Sequence, residues 1–137
     1  MTASEQQTEQ EGARLAKTLQ PGAIVTLTGP LGSGKTAFVR GMAAGLGIDP
    51  RLIHSPSFTI VSEHPTASGG RLVHVDLYRL DSPREIEDLG LAECIGAGAL
   101  VAVEWGEKLP ERMRAGAVRV TLEDAGGDNR ILTYSSW

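Results

Sequence analysis

At 137 residues the chain is long enough for one compact domain with its own core, so a single domain spanning 1–137 is the expectation. Apolar residues make up 41% and charged residues 22%, an ordinary globular balance that leaves no apolar run of membrane-spanning length. A formal net charge of -4 argues against tight unaided binding to nucleic acid, and the lone cysteine, Cys94, excludes an intrachain disulfide and a thiol-rich metal site.

Residues 1–11 are polar and acidic, without the basic start and apolar stretch of a secretory signal, so a cytoplasmic location is the simplest expectation. Ala13, Leu15, Ala16 and Leu19 recur at helical spacing before the stop Gln20-Pro21-Gly22, which predicts a helix over 8–19. Residues 24–28 are β-branched and mostly apolar between glycines, as in a short buried strand, and 35–46 read as a helix ending at Gly47. Residues 58–63 and 72–77 are expected to be paired strands joined by the turn-rich stretch 65–70. Ser82 is a helix cap with Pro83 at the first helical position, and 89–95 continue as one or two short helices. Further strands are expected over 99–104, 118–122 and, after the turn Gly126-Gly127-Asp128, 129–134. Alternation of strands and helices predicts an α/β domain of three layers with a mostly parallel sheet, to which the last two strands add an antiparallel edge.

The strand-to-helix junction at 28–35 carries the most specific signal. Gly29, Gly34, Lys35 and Thr36 match Gly-x-x-x-x-Gly-Lys-Ser/Thr, the phosphate-binding loop, or P-loop. Glycines at Gly29, Gly32 and Gly34 let the backbone turn tightly enough to aim consecutive N–H groups at phosphate oxygens, and the following helix adds its positive dipole end. The reading is a nucleoside triphosphate, ATP or its product ADP, held with Mg2+ on Gly29, Leu31, Gly32, Ser33, Gly34, Lys35, Thr36 and Ala37. Lys35 would sit between the β- and γ-phosphates, and Thr36 would offer its hydroxyl to the metal.

Such a site also needs carboxylates. Asp76 and Glu104 each follow an apolar run at a strand end, where an α/β sheet delivers side chains to its ligand. A carboxylate there is costly unless paired or metal-bound, so both are candidate catalytic and Mg2+-linked acids beside Lys35 and Thr36. His54, His64 and His74 lack metal-ligand spacing and are expected in core or surface roles, and Arg112 and Arg114 on a solvated face.

Together with Thr8, Gly12, Phe38, Arg40 and Gly41, the blocks Ser55-Pro56-Ser57-Phe58-Thr59, His74-Val75-Asp76-Leu77-Tyr78-Arg79-Leu80, Leu89-Gly90 and Val103-Glu104-Trp105-Gly106-Glu107 resemble the TsaE family, over most of the chain. The resemblance implies a P-loop NTPase fold and an ATPase needed for threonylcarbamoyladenosine formation at position 37 of tRNAs. It implies TsaD and TsaB proteins as partners, and contact with tRNA only through that complex. It also implies a γ-phosphate-sensing hydroxyl at Ser57, where the family usually has threonine, and adenine- or ribose-side contacts from Thr8 and Arg130. Trp105 is expected either to pack as a wedge or to face the nucleotide or a partner. Pro30 stands where the family commonly has an acidic residue, and Gly106 where it commonly has proline. Two other functions share the loop: a small-molecule or nucleotide kinase, disfavoured because no arginine-rich lid is visible, and a nucleotide-gated binding module with little turnover.

Overall fold

The computed structural model describes residues 1–54 and 60–137. In chain order the helices are α1 (Glu5–Ala16), α2 (Lys35–Gly45), α3 (Pro83–Glu87), α4 (Leu91–Gly96) and α5 (Glu111–Arg114), and the strands are β1 (Ile24–Thr28), β2 (Val61–Pro65), β3 (Arg71–Asp76), β4 (Leu100–Glu104), β5 (Val118–Asp124) and β6 (Arg130–Ser136). The chain puts its most apolar strands in the middle of one six-stranded sheet, ordered β2-β3-β4-β1-β5-β6. β3, β4, β1 and β5 run parallel, while β2 and β6 close the edges in antiparallel pairing. Every residue of β4 is buried, as a strand covered on both faces requires.

Register decides which side chains share a face. Val25 lies opposite Ala102, and Leu27 is level with Glu104 and Val120. Val25, Leu27, Ala102 and Val120, with Leu72 and Leu122, form a core with Phe38, Val39 and Met42 of α2 and Ala16 of α1. On the opposite face Val73, Val75, Val101 and Val103 pack with Ile86, Leu91 and Leu109. The result is the expected three-layer α/β arrangement. No helix among the described residues is long and apolar enough to cross a membrane.

Several boundaries differ from expectation for local reasons. α1 starts at Glu5 because the Ser4 side chain accepts the Gln7 N–H, and it ends at Ala16. The expected strand over 58–63 begins outside the described residues, and its described part is β2. β5 is not part of an antiparallel edge: it joins β1 in parallel, and only β6 turns back. Ser82 caps α3 through the Glu85 N–H, as expected. Arg114 is not simply solvated, since its guanidinium donates to the carbonyls of Glu107 and Leu109 and lies 4.8 Å from the Trp137 ring centre. Arg112, by contrast, is exposed and pairs with Glu87.

α1 and α2 meet through glycines. A Cβ on Gly41 would lie 1.8 Å from the Glu9 carbonyl oxygen, and one on Gly12 would lie 2.1 Å from that of Phe38. Arg40 reaches Glu5 and Glu9 across the same seam, at 3.0 and 3.4 Å. Gly41→Ala is therefore expected to force the helices apart and cost about 1–3 kcal/mol, as overpacking typically does, measurable as a lower urea midpoint.

Candidate nucleotide site

β1 ends at Thr28, and the loop that follows must turn sharply into α2. Gly34 makes that turn with a φ of 100°, a left-handed conformation that a side chain would strain. Gly29 is needed for space: a Cβ there would lie 2.6 Å from both the Leu122 carbonyl oxygen and Ser33 Oγ. α2 follows at once and directs its N-terminus to the same place.

The loop is held from both ends. Lys35 Nζ donates to the carbonyls of Gly29, at 2.6 Å, and Pro30, at 2.8 Å. Arg130, reaching over from β6, donates Nε to the Ser33 carbonyl at 3.0 Å and Nη2 to that of Gly32 at 3.1 Å. Carbonyl and N–H point opposite ways in a trans peptide, so fixing the Ser33 carbonyl turns the Gly34 N–H away from the guanidinium. Burial pushes the Lys35 ammonium below the usual lysine range, against the opposing pull of Glu104, Glu107 and Asp76. Its Nζ also lies 4.5 Å from the ring centre of Trp105.

Opposite the loop, Glu104 and Asp76 stand side by side, directly paired in the β3–β4 ladder. Glu104 is buried, and both its oxygens accept from the Thr36 hydroxyl, at 3.1 and 3.0 Å. His74 Nε2 lies 2.6 Å from the same carboxylate. Asp76 accepts the Tyr78 N–H at 2.9 Å, yet its pKa is raised, first by desolvation and also by the Glu104 charge. Trp105 follows with a φ of 60°, the one described residue other than glycine with a positive φ. Such a conformation is strained for a bulky residue. It directs the half-buried indole to the pocket and against Tyr78, with ring centres 5.1 Å apart. Gly106 is pressed onto β1, where a Cβ would lie 2.3 Å from Thr26 Cβ, so no residue with a side chain fits here without displacing β1.

These groups surround a cleft of about 630 Å3. Of the residues expected at the site, Thr8, Leu31, Gly32, Gly34, Lys35, Thr36, Ala37, Asp76, Glu104 and Arg130 line it. Gly29 and Ser33 support it from beneath, Gly29 as a Lys35 acceptor and Ser33 as an almost fully buried residue. Ser57 lies outside the described residues. Thr8 turns its hydroxyl to Thr2 Oγ1, 2.8 Å away. Glu5, Arg40, Tyr78, Arg79 and Asp128 also line the cleft, though sequence reasoning gave them no role in binding. Tyr78 and Arg79 had a readable signal, since they directly follow Asp76 at a strand end that faces the ligand side of the sheet.

The family model described as "Threonylcarbamoyl adenosine biosynthesis protein TsaE" matches residues 2–132. The chain belongs to the TsaE family. A Treponema pallidum relative named "tRNA threonylcarbamoyladenosine biosynthesis protein TsaE" is 36% identical over 134 residues, covering 96% of each chain. Relatives of the same name from Bacillus subtilis and Streptomyces coelicolor are 38% and 42% identical, over 85% of this chain and 72% and 79% of theirs. The crystal structure of Bacillus subtilis YdiB superposes with a TM-score of 0.73 at 31% identity, covering 98% of this chain and 82% of that one. The fold of the TsaE family is thus a P-loop NTPase-like sheet in this chain too.

The raised pKa of Asp76 has a thermodynamic sign. Between its unfolded value and the higher folded one, the folded protein holds the proton more tightly, so stability falls as pH rises through that window. Asp76→Asn is expected to raise the melting temperature of the nucleotide-free protein at pH 7 to 8. The gain should disappear as pH falls below the ordinary carboxylate range. Melting curves from pH 3.5 to 8 test this, and a gain independent of pH would refute it.

Proposed function

We propose that the chain is a Mg2+-dependent ATPase that converts ATP to ADP as an accessory subunit of tRNA threonylcarbamoyladenosine biosynthesis, in a complex with TsaD and TsaB proteins. The names of its relatives supply the pathway. The observation that supports the chemistry is the Thr36–Glu104 hydrogen bond at the start of α2, beside the Lys35 ammonium. Donating its proton to Glu104 leaves the Thr36 hydroxyl with lone pairs for a cation.

The residues fit Mg2+. No cluster of three or more His, Cys, Asp or Glu side chains that could hold a metal by itself occurs among the described residues. Mg2+ commonly takes only one or two protein oxygens and completes its shell with water and substrate phosphates. Thr36, with Glu104 behind it and Asp76 alongside, is such a set, and a cation there would relieve the crowding of the two carboxylates. When bound, the ion would neutralise charge building on the β- and γ-phosphate oxygens.

The chain's own groups divide the rest of the work. Lys35 would exchange two neutral carbonyls for charged phosphate oxygens, which are stronger acceptors. Glu104 is committed to Thr36 and His74, so it serves the metal end. Asp76 has one oxygen engaged by Tyr78 N–H and a raised pKa, which suits it to orient the attacking water and accept its proton. Trp105 and Tyr78 form an aromatic wall at the cleft, suited to a nucleotide or a partner surface. The net charge of -4 accords with tRNA being reached through the partners.

Calorimetry with ATP and Mg2+ should show binding that Lys35→Ala weakens by about 100-fold or more, the scale of losing one preorganised charge contact. Unchanged ATP affinity would sink the assignment. Gel filtration of the chain with TsaD and TsaB proteins should give a joint peak that requires nucleotide. Separate elution under every nucleotide condition would remove the accessory-subunit part.

A further inference from the structure

His74 is buried without accessible surface, on the sheet face that carries Leu72 and Ala102. Its Nδ1 is buried and meets no hydrogen-bond partner among the described residues, so its polarity is used only at Nε2. There it lies 2.6 Å from Glu104 Oε2. An imidazole in an apolar layer pays a desolvation cost that a leucine of similar size would avoid. What distinguishes His74 from such a leucine is the single contact to Glu104.

The strand geometry explains the aim. His74 lies two residues before Asp76 and so shares its face of β3, while Glu104 is directly opposite Asp76 on β4. The imidazole therefore reaches the carboxylate from the core side, and the Thr36 hydroxyl reaches it from α2. Met by the single Thr36 hydroxyl alone, the carboxylate could rotate about its last bond and lose that contact.

We infer that His74 is the positioning residue of the site: its Nε2–H holds Oε2 of Glu104, fixing the carboxylate plane so that the Thr36 hydroxyl keeps its hydrogen bond directed at Glu104 and its lone pairs face the metal position. This rests on the nucleotide and Mg2+ reading proposed above. His74 touches neither nucleotide nor metal in this arrangement and acts only through Glu104. Its removal changes the metal-supported part of binding and leaves the phosphate loop itself intact.

The test is calorimetric titration of the full chain with a non-hydrolysable ATP analogue, once in Mg2+ and once in EDTA. His74→Leu should lower the affinity in Mg2+ by about 10-fold or more, the usual effect of losing a group that orients a metal-linked ligand, and leave the affinity in EDTA within about twofold. His74→Gln, which keeps an N–H donor, should recover most of the loss. In a Glu104→Gln background, His74→Leu should cost no further Mg2+-dependent affinity. His74→Met replaces His74→Leu if the latter does not fold, because its flexible side chain fills irregular core space. Equal losses in Mg2+ and EDTA, no loss at all, or a glutamine variant no better than leucine would each overturn the inference. Wild-type protein that ignores Mg2+ or binds no analogue would overturn the nucleotide reading instead.

Discussion

A carboxylate buried at the end of the central strand β4 is the constraint on which the site depends. Glu104 is 3% exposed, which leaves it no help from solvent, so its oxygens must be met by protein donors. Thr36 and His74 meet them, one from the helix after the phosphate loop and the other from the neighbouring strand. The same interactions that make the burial tolerable tie α2, β3 and β4 together at one point. Loop position, helix start and strand register are consequently not independent of one another.

The site is built at some cost to the fold. Asp76 is held beside Glu104 with a raised pKa, Trp105 occupies a left-handed conformation, and the Lys35 ammonium is partly desolvated. Each is a local compromise of the kind that persists only where surrounding packing dictates it. Here the packing is that of β1 and β4. The Trp105 N–H still donates to the Leu27 carbonyl at 2.9 Å, which continues the ladder through the strained residue. Charge and strain are thus collected at the C-terminal ends of the inner strands of a well-packed sheet, where a highly charged ligand would relieve them.

Much of this was readable in the sequence because it is local. The phosphate loop, the Ser82-Pro83 helix start and the apolar strands depend on neighbours a few residues away, and they appear where expected. Ser4, three residues before Gln7, was an equally local capping signal that the apolar periodicity of 13–19 obscured. What was not readable depends on register and order in the sheet. Nothing local to 118–122 says that β5 lies parallel to β1, because that follows from which edge remains open after β1 and β4 have paired. The core position expected for His74 is where the structure has it, but its partner is not legible in the sequence for the same reason. Its bond to Glu104 spans 30 residues and exists only in the register that sets Asp76 opposite Glu104. Arg114 has no marker at all, since its partners are carbonyls and the Trp137 ring.

Arg130 joins regions of the chain that have no local reason to move together. Its side chain holds the loop carbonyls 97 and 98 residues away, while its backbone exchanges hydrogen bonds with Thr2. Thr2 in turn touches Thr8 at the cleft. The outermost strand and the first residues are therefore part of the loop's mechanical support. Peeling β6 from the sheet would release the loop, and a ligand seated on the loop would make that peeling rarer. Amide hydrogens far from the loop, on β6 and at Thr2, would thus become reporters of any ligand seated there through the free energy of local opening.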